Sequence, residues 1–184
     1  MRHHSWLLGL AVILASGGCS RTAEPSAKDS PIAQERIVLA AAEEWVTHGR
    51  DYAETRFSPL DEINSESVGE LGLAWYFDVP TRRGMEATPI VADGRLFVTG
   101  SWSVVYALDA ATGEPLWTYD PQVPKSWAQY ACCDVVNRGV AIWGDSVFVG
   151  TLDGYLVSLD AATGKVNWKV DTIDRKPPYT ITGD

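Results

Sequence analysis

Residues 91–117 and 142–168 align without a gap at an offset of 51 residues. Nine of the 27 aligned positions are identical: Phe97/Phe148, Val98/Val149, Leu108/Leu159, Asp109/Asp160, Ala110/Ala161, Ala111/Ala162, Thr112/Thr163, Gly113/Gly164 and Trp117/Trp168. Self-similarity at such a period marks a propeller or another repeat array. Each unit of such an array buries its apolar faces by stacking on its neighbours.

The two units share one grammar. Leu96-Phe97-Val98 and Val147-Phe148-Val149 are short β-rich runs. Val104–Leu108 and Tyr155–Leu159 follow as the next strands. Asp-Ala-Ala-Thr-Gly is then a turn: Asp accepts backbone N–H bonds, and Gly takes the positive φ of a tight hairpin. A last strand carries the Trp. Pro89–Ala92 and Gly139–Trp143 open the units, with Pro89 tolerated at the first residue of its strand. Four strands per unit is the content of a propeller blade. Leu73–Phe77 reads as the closing strand of a further blade. Upstream, Ala33 to Val46 reads as a helix with Glu43 and Glu44 exposed, and Asn64 as the cap of a short second helix through Val68 and Leu71.

Composition fits an all-β repeat. Eight Trp supply flat packing surfaces and sixteen Gly supply turns, while 46% hydrophobic and 21% charged residues exclude a disordered or low-complexity chain. Fifteen Lys and Arg stand against 24 Asp and Glu, a net charge of −9. No basic stripe is available to displace counterions from phosphates, so nucleic acid is excluded as a partner.

The N-terminus reads as an address. Arg2, His3 and His4 precede an apolar run from Trp6 to Ala15, then Ser16-Gly17-Gly18-Cys19. This is the layout of a secretory signal over residues 1–18. Ten apolar residues are half of the roughly twenty that a spanning helix needs. The small-small-Cys ending resembles a bacterial lipobox, which would make Cys19 the lipidated N-terminus. A plain signal peptide cut nearby is the alternative. Residues 19–31 read as a flexible tether and 32–184 as the folded part. The expected location is the periplasm, membrane-anchored if Cys19 carries lipid. Export permits a disulfide.

One connection is uncommonly long, from Tyr119 to Gly139, and long loops in compact repeats are often functional. It holds Cys132-Cys133. Adjacent Cα atoms sit about 3.8 Å apart, whereas ordinary disulfides take about 4.4–6.8 Å. The residues alone therefore leave two readings, a pair of buried thiols or a strained vicinal disulfide. His3 and His4 fall in the signal, His48 reads as a surface residue, and no zinc, haem or P-loop motif is present.

The segment Ala107-Leu-Asp-Ala-Ala-Thr-Gly-Glu-Pro-Leu-Trp117 is similar to the tryptophan-docking pattern A-x-D-x-x-T-G-x-x-x-W of the PQQ-dependent dehydrogenases (PQQ, pyrroloquinoline quinone), and Ser158–Trp168 repeats it. Trp45–Asn64 also resembles the opening segment of that family's quinoprotein alcohol dehydrogenases. The resemblance covers roughly residues 45–184 and implies part of an eight-bladed β-propeller, all-β apart from short N-terminal helices.

It further implies a cofactor site. A vicinal Cys132–Cys133 disulfide would stack on one face of PQQ. Arg138, in Cys-Cys-Asp-Val-Val-Asn-Arg, would grip a cofactor carboxylate with two parallel bonds. Glu86, in Gly-Met-Glu-Ala-Thr-Pro, matches the Glu that hydrogen-bonds the cofactor. Thr182 matches the Thr that contacts it, although Gly183 is followed here by Asp184 instead of the family's Ala-Pro. The implied reaction is oxidation of a small primary alcohol, with Ca²⁺ as Lewis acid, an Asp as base and electrons leaving to cytochrome c. The calcium ligands and the base come from later blades in the family, beyond residue 184, so no catalytic or metal-ligating residue is assigned here. The two stretches around Glu86 and Cys132 look more like the quinohaemoprotein branch, which would add haem c, though C-x-x-C-H does not occur in the 184 residues.

About two blades fit between Gly84 and Asp184, whereas closed propellers have roughly four to eight. The expectation is an N-terminal part of a longer enzyme, inactive alone. The competing class is a non-enzymatic PQQ-like-repeat lipoprotein that assists outer-membrane assembly. Cys19 fits it, but such repeats lack the cofactor residues.

Overall fold

Eight strands form two four-stranded antiparallel sheets, each a simple meander, in the computed structural model, which describes residues 34–38, 41–176 and 179–183. The first sheet runs β1 (Ile90–Ala92), β2 (Arg95–Thr99), β3 (Val105–Asp109) and β4 (Pro115–Tyr119). The second runs β5 (Ala141–Trp143), β6 (Ser146–Gly150), β7 (Tyr155–Asp160) and β8 (Val166–Asp171). Ile90 pairs with Phe97 and Ala141 with Phe148, so register repeats at the sequence offset. Both third-to-fourth strand ladders carry a bulge in the same place, after Ala107 and after Ser158.

The repeated turn explains that regularity. Asp109 Oδ1 accepts from the backbone N–H and the hydroxyl of Thr112, at 2.8 and 2.9 Å. Asp160 Oδ1 does the same with Thr163, at 2.8 and 2.7 Å. Gly113 and Gly164 close the turns at φ +75° and +70°, a region open to glycine without a Cβ penalty.

The sheets face one another across the main core. Phe97, Val105 and Ala107 of the first meet Val147, Val149, Val157 and Leu159 of the second. The opposite face of the first sheet (Val98, Tyr106, Leu108) is covered by Trp75, Phe77 and Val79. Residues 73–77, expected as a strand, form none and pair with no strand among the described residues. The far face of the second sheet is open, with Leu156, Val166, Trp168 and Val170 exposed.

Upstream, the structure corrects four expectations. Among the described residues, the helix α1 covers Gln34–Val38 of the expected 33–46, and 41–46 are not helical. Trp45 instead forms an antiparallel bridge with Val91, clipping the N-terminal segment to the edge of β1. Glu44, expected on the surface, is 4% exposed. It is drawn in by the equally buried Arg36, which bonds it through Nη2 and reaches Asp93 at 2.6 Å. A tertiary ion pair thus overrides the expectation of an exposed Glu44. Asn64 accepts from the N–H groups of Glu66 and Ser67 at 2.9 and 3.2 Å, ahead of a single 3₁₀ turn at Val68–Glu70 that stops short of Leu71. His48 is half-buried, not on the surface. The signal, the tether and Cys19 lie outside the described residues. No helix among the described residues is long and apolar enough to cross a membrane.

Candidate cofactor site

Three connections meet at one end of the two sheets. Glu86 lies just before β1, Arg138 just before β5, and Thr182 on the segment that follows β8. Backbone bonds lace them together: Thr88 N–H donates to Arg138 O at 2.9 Å, and Arg138 N–H to Thr182 O at 3.0 Å. The repeat geometry therefore carries equivalent points of successive units to one place, although Glu86 and Thr182 are 96 residues apart in the chain.

The side chains converge as the backbone does. Arg138 Nη1 donates to Thr182 Oγ1 at 3.0 Å, and Nη2 lies 3.3 Å from Glu86 Oε2. Both Arg138 and Glu86 are 42% exposed, so the cluster faces outward and can meet a ligand. Cys132 and Cys133 are exposed beside it, their sulphurs 2.9 Å apart. The structure holds them as two free thiols in contact, whereas the resemblance implies a disulfide and the bare residues allow buried thiols. The Cys133 thiol is pushed above its ordinary range: the hydrogen bond with Cys132 acts first, then the charge of Cys132, a small loss of solvation and Glu86, with Arg138 pulling the other way.

Several supporting residues escaped the sequence reading. Asn137 is fully buried; its Nδ2 donates to Gly150 O at 2.8 Å and Ser103 Oγ at 3.2 Å, and its Oδ1 accepts from Gly139 N–H at 3.1 Å. It thereby ties the β2–β3 connection and the end of β6 to the position before Arg138. Asp134, at φ +72°, turns the chain directly after the cysteines and is ion-paired with Arg83. Position next to Cys133 and Arg138 was the only local signal for either. The partners Ser103, Gly150 and Arg83 are brought in by the fold.

The tryptophans dock as the repeat implies. A Cβ on Gly164 would lie 2.6 Å from the Trp117 ring, and one on Gly113 would collide with Trp75. Trp117 Nε1 also donates to Ala161 O at 3.1 Å.

The family profile "Glucose/ethanol/alcohol dehydrogenase, beta-propeller domain" matches residues 45–169. The chain belongs to the PQQ-dependent alcohol dehydrogenase family. It is 57% identical over 148 residues to the quinohemoprotein alcohol dehydrogenase ADH IIB of Pseudomonas putida, covering 80% of this chain and 21% of that protein. It is 58% identical over 146 residues to a 1-butanol dehydrogenase (cytochrome c) of Thauera butanivorans, covering 79% and 21%. The solved structure of ADHIIG from Pseudomonas putida HK5 superposes with a TM-score of 0.81 at 51% identity, covering 83% of this chain and 23% of that one. The two sheets are therefore blades of a β-propeller, and the chain spans about a fifth of the curated relatives it matches.

Proposed function

We propose that this chain is the N-terminal part of a PQQ- and calcium-dependent alcohol dehydrogenase that oxidises primary alcohols and passes electrons to a cytochrome c. The observation that carries the reading is the convergence of Arg138, Glu86, Thr182 and the cysteine pair on one outward-facing patch. Alcohol and acceptor are supported by the relatives, one of which is a cytochrome c-linked 1-butanol dehydrogenase.

The residues present fit the cofactor. PQQ is a flat tricarboxylate. Arg138 offers a planar fork of donors, already placed between a hydroxyl and a carboxylate, and such a fork binds a carboxylate through two parallel bonds. When bound, PQQ supplies the two-electron oxidising chemistry for the alcohol. Arg138 would hold one of its carboxylates, and Thr182 would add a hydroxyl donor. Glu86 balances the guanidinium charge and offers an acceptor. Cys132 and Cys133, oxidised to a vicinal disulfide in the exported protein, would form a rigid apolar plate against the ring system. Among the described residues, no group of three or more His, Cys, Asp or Glu could hold a metal ion. The calcium ligands and the catalytic Asp are assigned to later blades, and a haem c domain would follow in the quinohaemoprotein branch. Periplasmic location and lipidation at Cys19 belong to this proposal too, supported by the cationic start, the apolar run and Ser16-Gly17-Gly18-Cys19.

The test is reconstitution of the protein expressed from its complete reading frame with PQQ and Ca²⁺, followed by dye reduction with a primary alcohol. Arg138→Lys keeps the charge but loses the fork, and is expected to weaken PQQ binding roughly tenfold to a hundredfold. Failure of the intact protein to bind PQQ, or an unchanged affinity in the variant, overturns the reading. The 184 residues alone are expected to show no dye reduction.

A further inference from the structure

Arg175 stands outside the cofactor patch and engages a carboxylate, a backbone carbonyl and two aromatic rings. Its Nε donates to Asp171 Oδ2 at 2.8 Å, and its Nη2 lies 2.8 Å from Asp171 Oδ1. Its Nη1 donates to Asp153 O at 2.6 Å. The guanidinium plane also sits 4.6 Å from the centre of the Tyr155 ring and 5.7 Å from that of Trp127. One side chain thus touches the end of β8, the β6–β7 loop and the start of β7, and the 3₁₀ segment Lys125–Tyr130.

Two of those elements lead into the site. The segment Lys125–Tyr130 delivers the chain to Cys132, and Trp127 packs with Val123, Val135 and Leu152 in a small core of its own. The segment after β8 delivers Thr182. Its described residues are seated on the β6–β7 hairpin at two points: Thr172 N–H and Oγ1 donate to Gly154 O at 3.0 and 2.9 Å, Ile173 lies on Gly154, and Ile181 lies so close to Gly150, the last residue of β6, that a Cβ there would be 2.6 Å away. Arg175 sits between those two seats and joins them to Trp127.

We propose that Arg175 is a positioning residue of the cofactor site, fastening the cysteine-bearing connection and the Thr182-bearing connection to the same loop. It contacts none of the candidate cofactor ligands and acts through Trp127 on one side and through Asp171 and the Asp153 carbonyl on the other. The task suits an arginine. A planar guanidinium forks onto a carboxylate while its face lies on aromatic rings, which a lysine ammonium does not do. The role of the site as a PQQ site rests on the functional reading above; the fastening itself does not.

The experiment therefore reads both. Wild type, Arg175→Ala and Arg175→Lys are prepared in the protein from its complete reading frame. PQQ affinity is measured by quenching of tryptophan fluorescence. Hydrogen exchange is followed without cofactor in peptides covering 126–134, 136–139, 179–183 and, as an internal reference, 105–117. Arg175→Ala is expected to raise the PQQ Kd about tenfold. It should speed exchange in the first three peptides, with 105–117 unchanged, and Arg175→Lys should restore less than half of either effect. Exchange unchanged in all four peptides, or accelerated equally in 105–117, overturns the positioning role. If wild type fails to bind PQQ while exchange responds as described, the cofactor reading falls and the fastening stands.

Discussion

The indole of Trp117, on β4, lies flat against Gly164 in the turn of the next blade, and its Nε1–H reaches Ala161 O at 3.1 Å. The first blade thus inserts a side chain where the second has none. Trp117 also meets Phe97 with centroids 5.8 Å apart at 46°, and Phe148 meets Trp168 at the same distance and angle. The docking face is therefore preformed within each blade, and Trp168, 41% exposed, presents it to solvent.

Gly164→Ala tests this contact against an internal control. Gly94 shares the φ of +70°, but a Cβ there meets nothing within 4 Å. Gly94→Ala is expected to cost only the left-handed conformation, about 1–2 kcal/mol. Gly164→Ala adds overlap with the Trp117 ring, bringing the loss to about 2–5 kcal/mol. Denaturant midpoints of the two variants decide it, and equal losses would remove the case for docking.

The buried ion pair upstream yields a second prediction. Burial works against the Arg36 guanidinium, but hydrogen bonds and charge from Glu44 and Asp93 outweigh it and raise its pKa. Removing the cation strands a carboxylate that is 4% exposed. Arg36→Met should therefore destabilise by about 3–5 kcal/mol, while Arg36→Met with Glu44→Leu should recover most of that loss. A double variant no more stable than the single one would show that the pair is not the source of the effect.

The blades were legible because their information is local and repeated. Asp109, Thr112 and Gly113 specify a turn by chemistry within five residues, and the continuous apolar runs Leu96–Val98 and Val104–Leu108 ahead of it read as strands. Strand ends moved by a residue or two, as at Pro89, which has no N–H to give to the ladder. The segment 33–46 was misread for the opposite reason. Its fate is set by Asp93 and Val91, some fifty residues away, and no local pattern encodes that pairing. The site divides likewise. Cys132, Cys133 and Arg138 stand out within one short motif. Asn137 and Arg175 become visible only when loops from different units are brought together.

Acid stability follows from the turns. The Thr112 hydroxyl, then the Thr112 N–H, hold Asp109 below the ordinary carboxylate range, and Thr163 does the same for Asp160. Their folded-state pKa values lie below the unfolded ones, so the stabilisation is full above about pH 4 and is lost as the pH falls through the folded values. Asp109→Asn combined with Asp160→Asn should lower Tm at neutral pH and flatten its decline below about pH 4. A scan of Tm against pH with an acid limb as steep as wild type would rule this out.

The last prediction concerns the reduced cysteine pair. Cys133 is held above the ordinary thiol range first by its hydrogen bond with the Cys132 thiol, then by the charge of Cys132, a small loss of solvation and the Glu86 carboxylate, while Arg138 lowers it. Alkylation of the reduced protein by iodoacetamide should therefore show a midpoint at Cys133 above about pH 8.5. Two substitutions then pull in opposite directions. Glu86→Gln removes a negative neighbour and should move the midpoint down; Arg138→Met removes a positive one and should move it up. General loosening of the loop would shift both variants the same way. Opposed shifts, read by mass spectrometry of the labelled 126–138 peptide, would therefore place both side chains beside the thiol in solution. A common midpoint in wild type and both variants would separate the cysteines from the charged cluster.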